Sequence, residues 1–248
     1  MSKVLLITGA SRGIGAETAR LAAERGYALC LNYLSNRNTA EKLQQSLVGD
    51  GHHVILHQAN VGVEAEVLAM YHAIDNEFGR LDGLVNNAGI LERQSDVVDM
   101  SRERWQRILD VNVIGSFLCA REAIKRMSTS TGGQGGAIVN LSSRAADLGA
   151  PHEYVDYAAS KGAVDALTIG LAKEVGDQGI RVNAVKPGLI YTDIHADSGE
   201  AGRVDRLKTG VPMQRGGLPL EVAEAILWLL SDAASYTTGS FIDVSGGR

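Results

Sequence analysis

Long apolar runs, cysteine and surplus positive charge are all scarce in this chain. No stretch of 18 apolar residues occurs, so no transmembrane helix is expected. The only two cysteines, Cys30 and Cys119, fall inside apolar segments, one strand-like and one helical. They read as small buried hydrophobes and not as a disulfide or a reactive thiol. Basic residues number 24 against 29 acidic ones, a formal net charge of −5, which argues against a general nucleic-acid binder. The six histidines (52, 53, 57, 72, 152 and 195) have no cysteine or carboxylate spacing that suggests a metal site. Residues 1–8 enter a strand pattern at once, which leaves no room for a signal peptide. A reducing cytoplasm is the compartment these absences predict.

What is present is alternation. Short apolar runs at 4–8, 28–33, 54–57, 83–86, 137–141, 181–185 and 241–244 read as strands. Amphipathic stretches at about 13–25, 38–49, 63–78, 101–128, 154–177 and 219–231 read as helices. Several strands are continuously apolar, as a parallel sheet covered on both faces requires. Strand then helix, repeated without a composition break or linker, predicts one α/β domain over residues 1–248. Its architecture is a doubly wound, seven-stranded parallel sheet of Rossmann type. With 45% hydrophobic residues the chain can bury a substantial core. The Gly-rich stretch at 132–136 reads as a flexible loop, and the irregular 191–217 segment as a candidate lid.

The first strand-to-helix turn, Thr8-Gly9-Ala10-Ser11-Arg12-Gly13-Ile14-Gly15, has the composition of a phosphate loop. Its glycines allow a tight turn close to a pyrophosphate, and the helix N-terminus offers free N–H groups and a favourable dipole. The spacing is Gly-x3-Gly-x-Gly; a purely structural turn would also use glycines, and dinucleotide binding is the preferred reading. After the second strand, Leu31-Asn32-Tyr33-Leu34-Ser35-Asn36-Arg37 carries no acid to bind an adenosine ribose. Arg12 and Arg37 could instead meet a 2′-phosphate, so NADP is expected ahead of NAD.

Tyr157 and Lys161 stand four residues apart, on one face of a predicted helix. A phenol titrates near pH 10, too high for proton exchange at neutral pH. A cation ~4 Å away favours the phenolate by about 4 kcal/mol at an effective dielectric of 20. That is roughly three pKa units, enough to poise the group near pH 7. Asn112 shares the apolar face of its helix with Trp105, Ile108, Leu109, Ser116 and Cys119. A buried amide without partners costs about 1–3 kcal/mol, so it must be bonded.

These pieces together resemble the short-chain dehydrogenase/reductase family in its single-domain form, over the whole chain. Residues 8–15 are similar to its coenzyme loop, and Asn86-Asn87-Ala88-Gly89 to its strand-four motif. Asn112, Ser143, Tyr157 and Lys161 are similar to its catalytic tetrad. Pro187-Gly188-Leu189-Ile190-Tyr191-Thr192 resembles its nicotinamide-side segment, and 236–247 its C-terminal ending. The resemblance implies hydride transfer between nicotinamide and a carbinol or carbonyl carbon. In it, Tyr157 is general acid or base, Ser143 donates a second hydrogen bond to the substrate oxygen, and Lys161 holds the nicotinamide ribose. Asn112 either bonds neighbouring backbone or, as the resemblance implies, holds a water in a proton relay to Lys161; the relay is preferred here. Gly9, Ser11, Arg12, Gly13, Ile14, Gly15, Tyr33, Asn60, Val61, Asn87, Ala88, Gly89, Pro187, Gly188, Ile190 and Thr192 are the expected coenzyme contacts, with Tyr157 and Lys161.

Three departures stand out. Tyr157 stands fourteen positions after Ser143, about one more than in many members, which leaves Ser142 as a rival. Asn60 stands where many members carry Asp, and Leu34 lies where NADP-preferring members often place Arg. The expected function is an NADP-dependent oxidoreductase acting on a small alcohol or carbonyl compound, sugar-like in one version. One alternative is a 3-oxoacyl-carrier-protein reductase, which needs a basic docking patch; Arg102, Arg104, Arg107, Arg121, Lys125 and Arg126 are candidates. Another is a non-catalytic dinucleotide sensor or scaffold. Family resemblance also implies a homo-oligomer, tetramer or dimer, paired through the two long helices.

Overall fold

The computed structural model describes residues 2–248, built around one seven-stranded sheet. The strands are β1 (Val4–Ile7), β2 (Ala28–Tyr33), β3 (Val54–Gln58), β4 (Gly83–Asn86), β5 (Gly136–Leu141), β6 (Ile180–Pro187) and β7 (Phe241–Val244). All pair in parallel, in the order β3-β2-β1-β4-β5-β6-β7. The helices are α1 (Gly13–Glu24), α2 (Arg37–Gly49), α3 (Glu64–Phe78), α4 (Arg102–Leu109), α5 (Gly115–Met127), α6 (Ala145–Leu148), α7 (Val155–Glu174), α8 (Ile194–Asp197), α9 (Arg203–Leu207) and α10 (Pro219–Leu230).

The period-2 alternation of strand side chains sorts the apolar residues into two cores. Leu5, Ile7, Leu29 and Leu31 point to one face, where α1, α2 and α10 cover them. Val4, Leu6 and Cys30 point to the other, beneath α3, α5 and α7. Every residue of β1, β2 and β4 is buried, which is why those runs carry no polar alternation. Cys30 and Cys119 are buried and unpaired, and burial pushes each thiol up to about 12. Strand order reverses between β1 and β4, so a crevice opens at the carboxyl ends of those strands.

Two sequence expectations are corrected, and a third segment takes a definite structure. The single helix expected over 101–128 is α4 and α5 joined by a π-helical turn, Asp110–Ile114, centred on Asn112. There the backbone presses close to its neighbour: a Cβ on Gly115 would stand 2.6 Å from Val61 Cγ2. The 132–136 stretch is tightly packed and not slack, since a Cβ on Gly133 would lie 2.4 Å from the Met127 backbone. The 191–217 segment folds into α8 and α9 and seals its own small core of Leu189, Val204 and Val211.

Candidate active site

A cleft of about 430 Å³ runs along the carboxyl ends of the strands, between the glycine loop and α7, with α8 beside it. Its glycine-loop end is built by hydrogen bonds that the loop sequence alone does not reveal. Thr8 Oγ1 accepts from the backbone N–H groups of Asn87 and Ala88, each at 3.0 Å, so the ends of β1 and β4 are tied together. Asn87 returns the link, donating to the carbonyls of Thr8 (2.8 Å) and Gly9 (2.9 Å). Asn32, the polar residue near the end of β2, accepts from Gly9 N–H at 3.2 Å and donates to Ala59 O at 2.9 Å.

Glycine is required at two points of this loop. Gly9 has φ +63°, and a Cβ there would stand 2.9 Å from Ala88 Cα. Gly15 makes room differently: a Cβ would meet Gly9 O at 2.5 Å, so α1 could not approach the loop. No side chain caps α1, which leaves its first N–H groups for an anion, and Gly13 and Ile14 line the cleft beside them. These features fit a dinucleotide pyrophosphate.

Ser11, Arg12, Tyr33, Asn60, Val61, Ala88 and Gly89 line the same cleft, as expected. Asn60 Oδ1 accepts from Gly62 N–H at 3.0 Å. The end of β2 contributes Asn32, Tyr33, Leu34, Ser35 and Asn36, with no carboxylate. Arg37 is not brought there: it is exposed on α2 and paired with Glu41 at 2.8 Å, one helical turn on. Arg12 reaches across the cleft to Asp197 of α8. Pro187, Gly188, Ile190 and Thr192 follow β6 into the cleft wall. Gly15 and Asn112 do not line it.

At the other end stand Ser143, Tyr157 and Lys161. Ser143 follows β5, and its hydroxyl lies beside the Tyr157 phenol in the cleft wall. Its Oγ also accepts from Ala145 N–H at 3.1 Å, which starts α6. Lys161 is buried; its Nζ donates to Leu141 O at 2.6 Å and sits 5.5 Å from the centre of the Tyr157 ring. Ser142 turns away, its Oγ donating to Asp165 at 2.5 Å. Of the two serines, Ser143 is the one against the phenol.

The electrostatics correct the expectation drawn from spacing alone. Burial pushes the Tyr157 phenol up to about 12, opposed by the Ser143 hydrogen bond. Burial likewise lowers Lys161 to about 8, opposed by the Asp165 charge. The ammonium lies against the ring and the Leu141 carbonyl, and desolvation is the leading cause of the shift of both groups.

Asn112 is fully buried and satisfied within the protein. Its Oδ1 accepts from Ile90 N–H (2.8 Å), and its Nδ2 donates to Ile90 O (3.1 Å) and Ser160 Oγ (3.0 Å). The side chain therefore holds backbone beside the cleft, and both amide protons are occupied. Among the loop residues, Glu153 and His195 line the cleft, whereas Glu92 pairs with Arg107 and His152 with Asp96 on the surface.

Sequence reasoning missed Thr8, Asn32, Asp165 and Arg203 as site-building residues. Arg203 is buried, ion-paired with Glu153, and stacked 5.0 Å from the centre of the Tyr154 ring. A polar residue inside an otherwise apolar strand was a readable signal for Asn32; Arg203 lay in irregular sequence with no such signal. Between Ser143 and Tyr157 the chain makes a strained turn, where Ala150 (φ +44°) and His152 (φ +63°) take left-handed backbone.

The comparisons with known proteins agree with this geometry. A family model described as enoyl-(acyl carrier protein) reductase matches residues 9–248. The uncharacterized oxidoreductase YgfF of Escherichia coli is 56% identical over 245 residues, covering 99% of each chain. A 3-oxoacyl-[acyl-carrier-protein] reductase, FabG, of Staphylococcus aureus is 38% identical over 247 residues, covering 100% of this chain and 98% of the relative. A crystal structure of a short-chain type dehydrogenase/reductase from Mycobacterium marinum superposes with a TM-score of 0.92 at 34% identity, covering 99% of this chain and 94% of the other. This chain belongs to the short-chain dehydrogenase/reductase family and is an oxidoreductase, of a family whose members bind a nicotinamide dinucleotide.

Proposed function

We propose that the protein is an NADP-preferring dehydrogenase/reductase of a small alcohol or carbonyl compound, with residues 1–248 forming one catalytic domain. The observation that carries this reading is the meeting of Ser143, Tyr157 and Lys161 in the cleft that also contains the glycine loop. The glycine loop, Asn87–Gly89 and the 187–192 segment would hold a nicotinamide dinucleotide, which would supply the hydride chemistry and, in its oxidised form, positive charge at the site. Tyr157 gives or takes the proton at the substrate oxygen, and Ser143 donates a hydrogen bond to that oxygen as charge develops. Lys161 holds the nicotinamide ribose, and any further positive charge favours the phenolate.

The coenzyme preference rests on the absence of a carboxylate at the end of β2 and on Arg12 in the cleft wall, where a 2′-phosphate would compete with Asp197 for the guanidinium. Reduction of a 3-oxoacyl chain is the second reading, favoured by the relatives that carry that name. A docking surface for an acidic carrier is less well supported. Of the six candidates, Arg104, Arg107, Arg121, Lys125 and Arg126 are each paired with an acid, which weakens the patch and leaves Arg102 alone without an acidic partner among the described residues. The sensor or scaffold alternative has no support from a site that retains Tyr157 and Lys161.

A cytoplasmic homo-oligomer completes the proposal. Ile114 and Phe117 near the start of α5 and Ile169 on α7 are exposed, and Cβ atoms on Gly162 and Gly170 would meet nothing, as a helix-pairing surface requires. No helix among the described residues is long and apolar enough to cross a membrane.

The test is a panel of sugars, simple ketones and 3-oxoacyl thioesters, followed at 340 nm with both coenzymes. Tyr157→Phe should abolish turnover of any substrate found and leave coenzyme affinity within about twofold, because the phenol acts mainly in the transition state. Full activity in that variant overturns the assignment.

A further inference from the structure

Tyr157 and Lys161 are followed by Asp165 at the same spacing, so the three form one stripe along α7. The strand end facing them supplies three consecutive residues, one for each. Lys161 Nζ donates to Leu141 O at 2.6 Å. Ser142 Oγ donates to Asp165 Oδ1 at 2.5 Å. Ser143, the next residue, lies beside Tyr157 in the cleft wall. Two successive strand-end residues are thus fastened to two successive turns of the helix, and the third lies at the phenol one turn earlier.

Asp165 is also the hub of a partly buried charge cluster. Its Oδ2 pairs with Lys186 of β6 at 2.9 Å. Lys186, itself buried, bonds Asp147 of α6 at 3.0 and 3.2 Å and lies 4.8 Å from the centre of the Phe241 ring. Asp147 in turn pairs with Arg144, which also bonds Asp243 of β7. Asp165 therefore faces Lys161 on its own helix, Lys186 from the sheet and, through Lys186, Asp147 from the turn after Ser143.

We propose that Asp165 is a positioning residue of the catalytic site: it fixes the 141–143 strand end in register with Tyr157 and supplies the counter-charge for the Lys161 ammonium. The proposal deepens the proposed function and rests on the roles given there to Tyr157, Ser143 and Lys161. Ser142 is oriented by the Asp165 carboxylate, and its neighbour Ser143 is thereby held against the phenol. Lys161 is buried with the Leu141 carbonyl as its nearest partner; without a negative charge one helical turn away, its own charge would be harder to keep. The lowering of Lys161 to only about 8 despite its burial agrees with this, because the Asp165 charge works against desolvation.

Asp165→Asn keeps the shape and an acceptor for Ser142 but removes the charge. Titration of Lys161 by NMR of 13Cε-labelled lysine, assigned with Lys161→Arg, requires neither coenzyme nor substrate. The midpoint should fall by about one pH unit in Asp165→Asn and return toward the wild-type value in Asp165→Glu. In reduction of an acetoacetyl thioester by NADPH, kcat should fall about tenfold while the coenzyme KM changes less than twofold. The alkaline limb of the pH profile should shift downward, since both Tyr157 and Lys161 then lose their protons more easily. An unmoved Lys161 midpoint in folded Asp165→Asn overturns the proposal. Should that variant not fold, Lys186→Met decides the matter: with its competing cation gone, Asp165 acts on Lys161 alone and the midpoint should rise; a stationary midpoint overturns the proposal. Activity retained in Tyr157→Phe would instead sink the proposed function, so the two failures are distinguishable.

Discussion

The ion pair between Arg104 of α4 and Asp156 offers the sharpest test of how the site is held. Asp156 precedes Tyr157 and is fully buried, and the Arg104 side chain is only 11% exposed. The pair is bidentate, with Nε–Oδ2 at 2.5 Å and Nη2–Oδ1 at 3.2 Å. Arg104 also donates to Arg93 O at 2.6 Å, and Asp156 accepts from Tyr157 N–H at 2.9 Å. One guanidinium therefore fastens α4, the 91–96 loop and the first turn of α7. Arg104→Met keeps most of the aliphatic packing and leaves a buried carboxylate without its cation. Loss of one member of such a pair costs about 3–5 kcal/mol. At roughly 2–4 °C per kcal/mol for a chain of this size, Tm should fall by about 10 °C. Asp156→Asn should also destabilise, and the double variant should recover about 2 kcal/mol or more relative to the sum of the singles. Urea unfolding of the four proteins measures this cycle. Arg104→Met within about 1 kcal/mol of wild type, or strict additivity, would refute the claim that this desolvated pair clamps the Tyr157 turn.

Further expectations concern the cleft. Arg12→Ala should weaken NADP much more than NAD in equilibrium titration, since a 2′-phosphate is what the guanidinium would meet; equal losses reject the coenzyme preference. Thr8→Val removes the hydroxyl that accepts from Asn87 and Ala88 N–H groups. Asn87 N–H keeps the Val85 carbonyl at 3.0 Å, so the change should cost roughly 1–3 kcal/mol for the one N–H, that of Ala88, left without a partner, and lower affinity for both coenzymes alike, read by urea unfolding and coenzyme titration. Lys161 is lowered from its ordinary 10.5 to about 8 by burial. Between those values the unfolded chain binds more protons, so this group makes stability rise with pH, by roughly 3 kcal/mol in total. Below pH 8 both states carry the proton, and the cost of the buried charge is fully present. The difference in unfolding free energy between wild type and Lys161→Met should therefore slope across pH 8–10.5, and a flat difference would refute the burial argument. Tyr157, raised from 10.0 to about 12, contributes the opposite slope above pH 10, where the unfolded phenol ionises first.

The sequence by itself determined the class of fold and most of the cleft wall. Seven apolar runs separated by amphipathic ones admit only a covered parallel sheet, because strands buried on both faces lose their alternation. The glycine loop, the 86–89 segment and 187–192 all gather at the strands' carboxyl ends, because a parallel sheet places every strand-to-helix turn on the same edge. Tyr157 and Lys161 were legible for a local reason, since helical periodicity fixes which residues share a face. Tertiary structure decided everything that depends on partners distant in sequence. It showed that Asn112 occupies a π turn with its amide taken by Ile90 and Ser160, and that Arg37 lies outside the cleft. It replaced the expected lowering of the Tyr157 phenol with an elevation, because desolvation is a property of the packed site and no spacing encodes it. It also brought Leu141, Ser142 and Ser143 opposite Lys161, Asp165 and Tyr157, a match between strand end and helix that exists only once β5 and α7 have packed together.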